Sequence, residues 1–361
     1  MNPMATKLTR RQLLQAGALT LAALPLRSLA GDAVQPAIIS ACDVGRNQHR
    51  AGLAGASGLL TLPERGHHLE LDPARPGECL VFARRPGYQI ARFNWRSGQQ
   101  LAWYDYPDNR HGFGHGILAH GQLYTTDNDI DSGNGLLTVR DPHTLLPLRE
   151  MPSGGIGPHE LKALDDGTIL VANGGILTLP ESGRIKLNRN NMKPQIDIVD
   201  PVQGRSIASY TLDDKRLSLR HLARINQHDF AVALQYEGDG AAPLVAIWNA
   251  EQGLRLLDAP DALALASNGY AASVAAGADR IACTATKGDA VVFWDGSGRY
   301  LGHVALTKPA GIALSRDQRH FVTSNELGEI VWIDSRTLQI DPRRSQRFPV
   351  KWDNHLSLAY S

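Results

Sequence analysis

The feature that most constrains this chain is a repeat. Apolar runs of four to six residues, set apart by Gly, Pro, Asp and Asn, recur along nearly the whole length. Almost no segment carries the 3.6-residue periodicity of a helix, so the pattern is that of an all-β protein. The segment 154–175, GGIGPHELKALDDGTILVANGG, shows the unit most clearly. A Gly/Pro-rich entry leads to His159, and one strand follows. Asp165-Asp166-Gly167 then turns the chain, and a second strand ends at Asn173-Gly174-Gly175. Units of this kind start at His67, His115, His159, His221, Ser273, Gly311 and His355, at intervals of 38 to 62 residues. Third and fourth strands follow in most of them, and four strands in roughly 40–50 residues is the period of a propeller blade. The sequence predicts a seven-bladed β-propeller with four-stranded blades.

The two ends of the chain are complementary. Three strands, within 38–42, 50–53 and 58–62, precede the first unit, whereas the seventh unit holds one strand, within 355–360. Together they make a seventh blade, which closes the ring and leaves no free sheet edge at the seam.

Residues 1–30 read as a twin-arginine signal peptide, with 31–361 as the propeller domain. Arg10 and Arg11 precede the apolar stretch 13–26, and Ser28-Leu29-Ala30 is a small-x-small cleavage site. The expected location is the periplasm. Past this segment no apolar run approaches the ~20 residues of a membrane span. With 37 Lys and Arg against 36 Asp and Glu, the chain carries no charge pattern that suggests a nucleic-acid partner. Its three cysteines, Cys42, Cys79 and Cys283, fall in predicted strands and read as buried small residues rather than a disulfide framework. The absence of C-x-x-C-H excludes covalent c-type haem, and no P-loop or dinucleotide fingerprint implies a nucleotide.

In a propeller the entry to each first strand and the turn between the second and third strands share one face. Five entries carry a histidine: His67 (or its neighbour His68), His115, His159, His221 and His355. The turns bring Arg84, Asp127, Asn128, Asn173, Gln235, Asn325 and Asp43 to the same face, with Glu160 beside His159. Imidazoles from several blades pointing at one axis would hold a transition metal such as Fe, Cu or Zn. The turn groups would then orient them or line the rim. A second reading makes the histidines structural, each bonding to the neighbouring blade. The longest insertion, 174–194, is large enough to act as a lid.

Several phrases resemble a known family: RGH at 65–67, VFARRPG at 81–87, GHG at 114–116, YTTDND at 124–129, GIGPHEL at 155–161, VANGGI at 171–176, LRHLA at 219–223 and WDNH at 352–355. They are similar to the secreted domain-of-unknown-function family 1513 over nearly all of 31–361. The resemblance implies a seven-bladed propeller exported by the twin-arginine route, encoded near imelysin-type and di-haem proteins in iron-linked loci. It carries no established activity, and its histidine motifs fall on the five entry positions.

Three functions follow from these residues. The leading one is a periplasmic propeller that binds a metal ion or small metal complex in a His-lined funnel, in iron or copper acquisition. The second is a metal-dependent hydrolase or lactonase, which is disfavoured because few carboxylates lie near the histidines. The third is a platform for a periplasmic protein partner.

Overall fold

The computed structural model describes residues 35–179 and 185–360, so the signal peptide expected over 1–30 lies outside the described residues. Residues Pro36–Ser361 form one compact unit built almost wholly of antiparallel sheet. Six sheets of four consecutive strands cover 66–105, 110–152, 158–210, 217–256, 273–305 and 309–347. They are blades 1 to 6. Blade 7 combines the N-terminal strands Ala37–Gly45, Gln48–Leu53 and Leu60–Leu62 with the C-terminal pieces Lys351–Trp352 and Ser357–Ala359. Both C-terminal pieces pair antiparallel with Ala37–Gly45, the seam expected from the two chain ends.

Each blade is covered on both faces. That is why the second strand of blade 3 reads as an unbroken apolar run rather than an alternation. Ile169, Leu170, Val171 and Ala172 are all fully buried. The apolar core is accordingly split into seven clusters, one between each pair of neighbouring blades around the ring. Ile39, Val81 and Phe93 join blades 7 and 1; Val322, Trp332 and Trp352 join blades 6 and 7. Cys42, Cys79 and Cys283 are free and buried in these clusters, and burial pushes the Cys42 thiol up to about 12. No helix among the described residues is long and apolar enough to cross a membrane.

The first strand of each blade packs against its neighbours' first strands around the axis. Five of these strands break register near their start: between Gly66 and Leu69, Gly112 and Gly116, Pro158 and Glu160, Leu219 and Leu222, and Pro309 and Ile312. The innermost strand of blade 7 is interrupted between Trp352 and Ser357. Blade 5 pairs without a shift from Ser273 to Gly277. A bulge turns side chains away from the strict two-residue alternation of a strand. All five entry histidines sit in these interruptions, and the blade with regular pairing has none.

A bulge frees backbone carbonyls, which must find other donors when buried. Hydroxyls supply them. Thr126 Oγ1 lies 3.3 Å from the His115 carbonyl and 3.2 Å from that of His159, bridging two blades. Ser40 Oγ donates to the His355 carbonyl at 2.6 Å, and Thr323 Oγ1 to that of Gly311 at 3.0 Å. Thr126→Val keeps the shape and removes the hydroxyl. It is expected to lower the stability measured by chemical denaturation by about 1–3 kcal/mol, the cost of stranding a buried polar group. A change under about 0.5 kcal/mol would show that the bridge is immaterial.

Candidate metal centre

Five of the six interrupted strands, those of blades 1, 2, 3, 4 and 7, bring their histidines into one cluster on the axis. Neighbouring ring centroids are 4.9 Å apart for His67–His115, 4.6 Å for His115–His159, 4.7 Å for His159–His221, 4.6 Å for His221–His355 and 4.6 Å for His355–His67. None is more than 9% exposed. Two glycines make this approach possible. Gly114, at φ +93°, lies so close to His67 that a Cβ would stand 3.0 Å from the imidazole Cδ2. At Gly311 a Cβ would meet the His355 backbone at 2.7 Å. Blade 6 therefore has glycine where other blades have histidine, because the seventh-blade chain passes through that space.

The nitrogens are set for a cation. His115 Nε2 is 2.9 Å from His355 Nε2, and His159 Nε2 is 3.4 Å from His221 Nε2. Two imidazoles on one ion, at bonds of about 2.0–2.1 Å, place their nitrogens at about this spacing. Among the described residues three sets of side chains have donor atoms within 4.8 Å of one another: His67, His221 and His355; His67, His115 and His159; and His115, Glu160 and His221. These buried groups could hold a metal ion. The Nδ1 atoms of His115 and His159 are buried and have no hydrogen-bond partner among the described residues. The cluster is thus poorly satisfied as a hydrogen-bond network of its own.

Two carboxylates fix the orientation of the rings. His67 Nδ1 is 2.6 Å from Asp353 Oδ1, and His221 Nδ1 is 3.2 Å from Glu160 Oε2. Donation from Nδ1–H leaves the Nε2 lone pair facing the cluster, the arrangement that metal-ligating histidines usually show. Burial works against ionising Asp353, but His67, Arg84 and Arg65 outweigh it and hold the carboxyl well below its usual range. Glu160 is held low in the same way, with Lys162 at 2.6 Å as the chief opposing cause. Burial pushes the imidazoles the other way, His67 down to about 4 and His68 to about 3. His115, His159 and His355 lie well below the ordinary imidazole value, from burial first and then from other histidines. At neutral pH His67, His68, His115, His159 and His355 are uncharged and their lone pairs are available.

The side chains expected around the histidines divide into two groups. Glu160 touches His221 directly, and Arg84 reaches His67 through Asp353, from which it lies 3.4 Å. Gln235 lines the cavity over the cluster while its Nε2 donates to the Ala271 carbonyl. Four of the other five are engaged elsewhere. Asp127 takes the Arg140 guanidinium at 2.8 Å and the Tyr106 hydroxyl at 2.6 Å, a buried link between blades 1 and 2. Asn173 bonds to Ser153 and Asp197 and so fixes the entry loop of its own blade. Asn325 caps a turn through the Leu327 and Glu329 amides. Asp43 pairs with His49 at 2.6 Å. Asn128 is buried beside Asp127, outside the three donor sets. Position in a turn does not decide direction: successive residues of a strand face opposite sides, and those four groups bond into walls or turns.

Sequence reasoning missed Asp353, although WDNH places it two residues before His355. A carboxylate in the same interrupted entry as a histidine was the signal. It also left His67 and His68 as alternatives, and the bulge places both rings at the cluster. His68 stacks on Phe82 and His115 with centroids 5.8 and 5.4 Å away, and His67 belongs to two of the donor sets. Arg220 and Tyr270, which line the cavity, were not picked either.

The sequence of residues 60–359 matches the family model described as a protein of unknown function, DUF1513. No curated protein matches the sequence. Among solved structures, a hydrazine synthase of Kuenenia stuttgartiensis is similar at 12% identity and a TM-score of 0.57, covering 84% of this chain and 90% of that one. BamB from Moraxella catarrhalis is similar at 12% identity and a TM-score of 0.51, covering 91% and 94%. At such identities the likeness is one of fold, in agreement with the seven-bladed architecture.

Proposed function

Because the chain belongs to the DUF1513 family, whose description assigns no function, its role has to be argued from its own site; we propose that it is a binding protein holding one transition-metal ion on the axial histidines. The observation that carries this reading is the pairing of buried imidazoles, at 2.9 and 3.4 Å between Nε2 atoms, with Asp353 and Glu160 fixing two of the rings from behind. An all-imidazole donor set suits Zn, Cu, Fe or Ni better than Ca or Mg. His67, His115, His159, His221 and His355 are the ligand candidates, of which any one ion would use three or four.

The twin-arginine segment and the resemblance to exported proteins support a periplasmic location and a part in iron or copper acquisition. The hydrolase reading is weaker. The carboxylates beside the histidines are already engaged, Glu160 by Lys162, His221 and the Leu222 amide and Asp353 by Arg65, Arg84 and His67.

Metal content measured by mass spectrometry after loading and dialysis tests the proposal. Wild-type protein is expected to retain about one ion per chain, and the double variant His159→Ala/His221→Ala less than a tenth of that. Negligible retention by folded wild type for Zn, Cu, Fe and Ni alike would end the metal reading.

A further inference from the structure

The cavity over the histidines differs in character from the cluster beneath it. Its volume is about 240 Å³, small beside drug-sized sites. Besides His67, His159 and His221 it is lined by Arg84, Arg85, Lys186 and Arg220, and no carboxylate lines it among the described residues. These cations come from separate parts of the fold. Arg84 and Arg85 follow the second strand of blade 1, Arg220 lies in the bulge of blade 4, and Lys186 belongs to the blade-3 insertion.

The arrangement is built rather than incidental. Arg220 is only 2% exposed, an unusual state for a guanidinium. It lies against Gly174, where a Cβ would be 3.1 Å from Arg220 Nη1. Lys186 is drawn over the cavity by Glu237 of blade 4, to which its Nζ donates. The insertion that carries it is tied down by Asn188, which bonds to the Leu177 amide at 2.7 Å and the Gly175 carbonyl at 2.9 Å. The phenol of Tyr270 and the amide of Gln235 complete a polar wall.

Charge matching gives the ligand class. Imidazole binds a metal as a neutral ligand, so a histidine set leaves the full charge of a bound cation uncompensated. The carboxylates behind them are already matched, Asp353 by Arg65 and Arg84 and Glu160 by Lys162. A buried cation beneath converging cationic side chains needs a negative partner. Guanidinium groups favour planar or tetrahedral oxyanions, which accept paired N–H donors. We infer that the cavity takes a small oxyanion with at least two negative charges, a dicarboxylate or a phosphate, with one end at the histidines and the rest against Arg85, Lys186 and Arg220. This rests on the metal reading for the tighter, metal-assisted form of binding only.

Isothermal titration of malonate and of inorganic phosphate into the mature protein, metal-free and zinc-loaded, tests it. The metal-free protein is expected to bind at least one of the two anions, with affinity that falls as salt rises. Zinc loading should tighten that binding at least tenfold. Arg85→Gln and Lys186→Gln should each weaken it tenfold or more while zinc stoichiometry stays unchanged. Malonate alone would assign carboxylates, and inorganic phosphate alone would assign phosphates. Arg220→Gln adds a third test where its melting curve matches wild type. If neither anion binds either form, or if the Arg85 and Lys186 variants bind as wild type does, the inference is overturned even when zinc binds normally. If zinc fails to bind while the anions do and the variants lose them, the metal reading falls and the oxyanion site stands.

Discussion

Metal-free protein is expected to lose stability steeply as the pH falls from about 6.5 to 4. The cause is the set of buried neutral imidazoles. An unfolded histidine takes a proton near its ordinary value of 6.5, whereas folded His67 holds out to about 4 and His68 to about 3. His115, His159 and His355 are depressed as well. In that window the unfolded chain binds more protons than the folded one, so acid favours unfolding. The stabilising contribution is complete above about 6.5 and is lost on the way down. Each such ring contributes a slope of up to about 1.4 kcal/mol per pH unit. Five of them would exhaust a typical stability of about 5–15 kcal/mol within roughly one to two units. Asp353 and Glu160 act in the same direction but lower down, because their depressed carboxyls begin to matter only below the usual carboxylate range. Denaturant midpoints measured at half-unit steps would show the slope. His115→Gln/His159→Gln should flatten it markedly, and a wild-type midpoint constant between pH 6.5 and 5 would contradict the neutral, buried cluster.

Asp353→Ala is expected to be the most damaging single substitution at the site. The carboxylate is 1% exposed, accepts from His67 Nδ1, and pairs with Arg65 at 2.5 Å and Arg84 at 3.4 Å. Its Oδ1 also takes the Asn354 amide at 2.6 Å, which shapes the interrupted strand that carries His355. Removing one partner from a buried ion pair leaves the others uncompensated and costs about 3–5 kcal/mol. Loss of the outer hydrogen bond to a ligating imidazole lowers metal affinity by about 10–100-fold. Asp353→Asn keeps the shape and separates the two effects. It should recover part of the stability, and it should leave metal affinity depressed because the charge on the far side of His67 is gone. Competition with a chromophoric chelator reads the affinity. A value within threefold of wild type for Asp353→Ala would remove the carboxylate from any orienting role.

The architecture was largely legible in the sequence because propeller blades repeat. Strand patterning, turn residues and the complementary chain ends all pointed to the same ring. The histidine positions were legible for the same reason, since His67, His115, His159, His221 and His355 recur at one point of the repeat. The bulges were not legible. They depend on which partner residues a strand leaves unpaired, and nothing in a local run such as LRHLA states that Leu219 pairs with Leu234 and Leu222 with Val232. Without the bulges, neighbouring residues divide between two faces and the direction of each turn residue is undetermined. Asp127 and Asn173 therefore read as groups near the axis, although Arg140 and Ser153 hold them in the walls. The absence of histidine from blade 6 was visible in the sequence. Its reason, the passage of the His355 backbone beside Gly311, is purely tertiary.

The seam of the ring has a kinetic consequence. Ser40 and His355, joined by a hydrogen bond, are 315 residues apart in sequence. Bringing such distant positions together costs about 5 kcal/mol in chain entropy before any contact forms. Long-range pairing of this kind is slow. Blades 1 to 6 are each contiguous in sequence and can assemble locally, whereas blade 7 must wait for the C-terminal strand. His355 travels on that strand, so the fifth imidazole arrives with ring closure and the full cluster cannot precede it. An ion held between His355 and histidines of blades 1, 2 and 4 would bind the closed ring in preference to the open one. It would then act as a clasp, slowing the opening of the seam by the same free energy with which it is bound there.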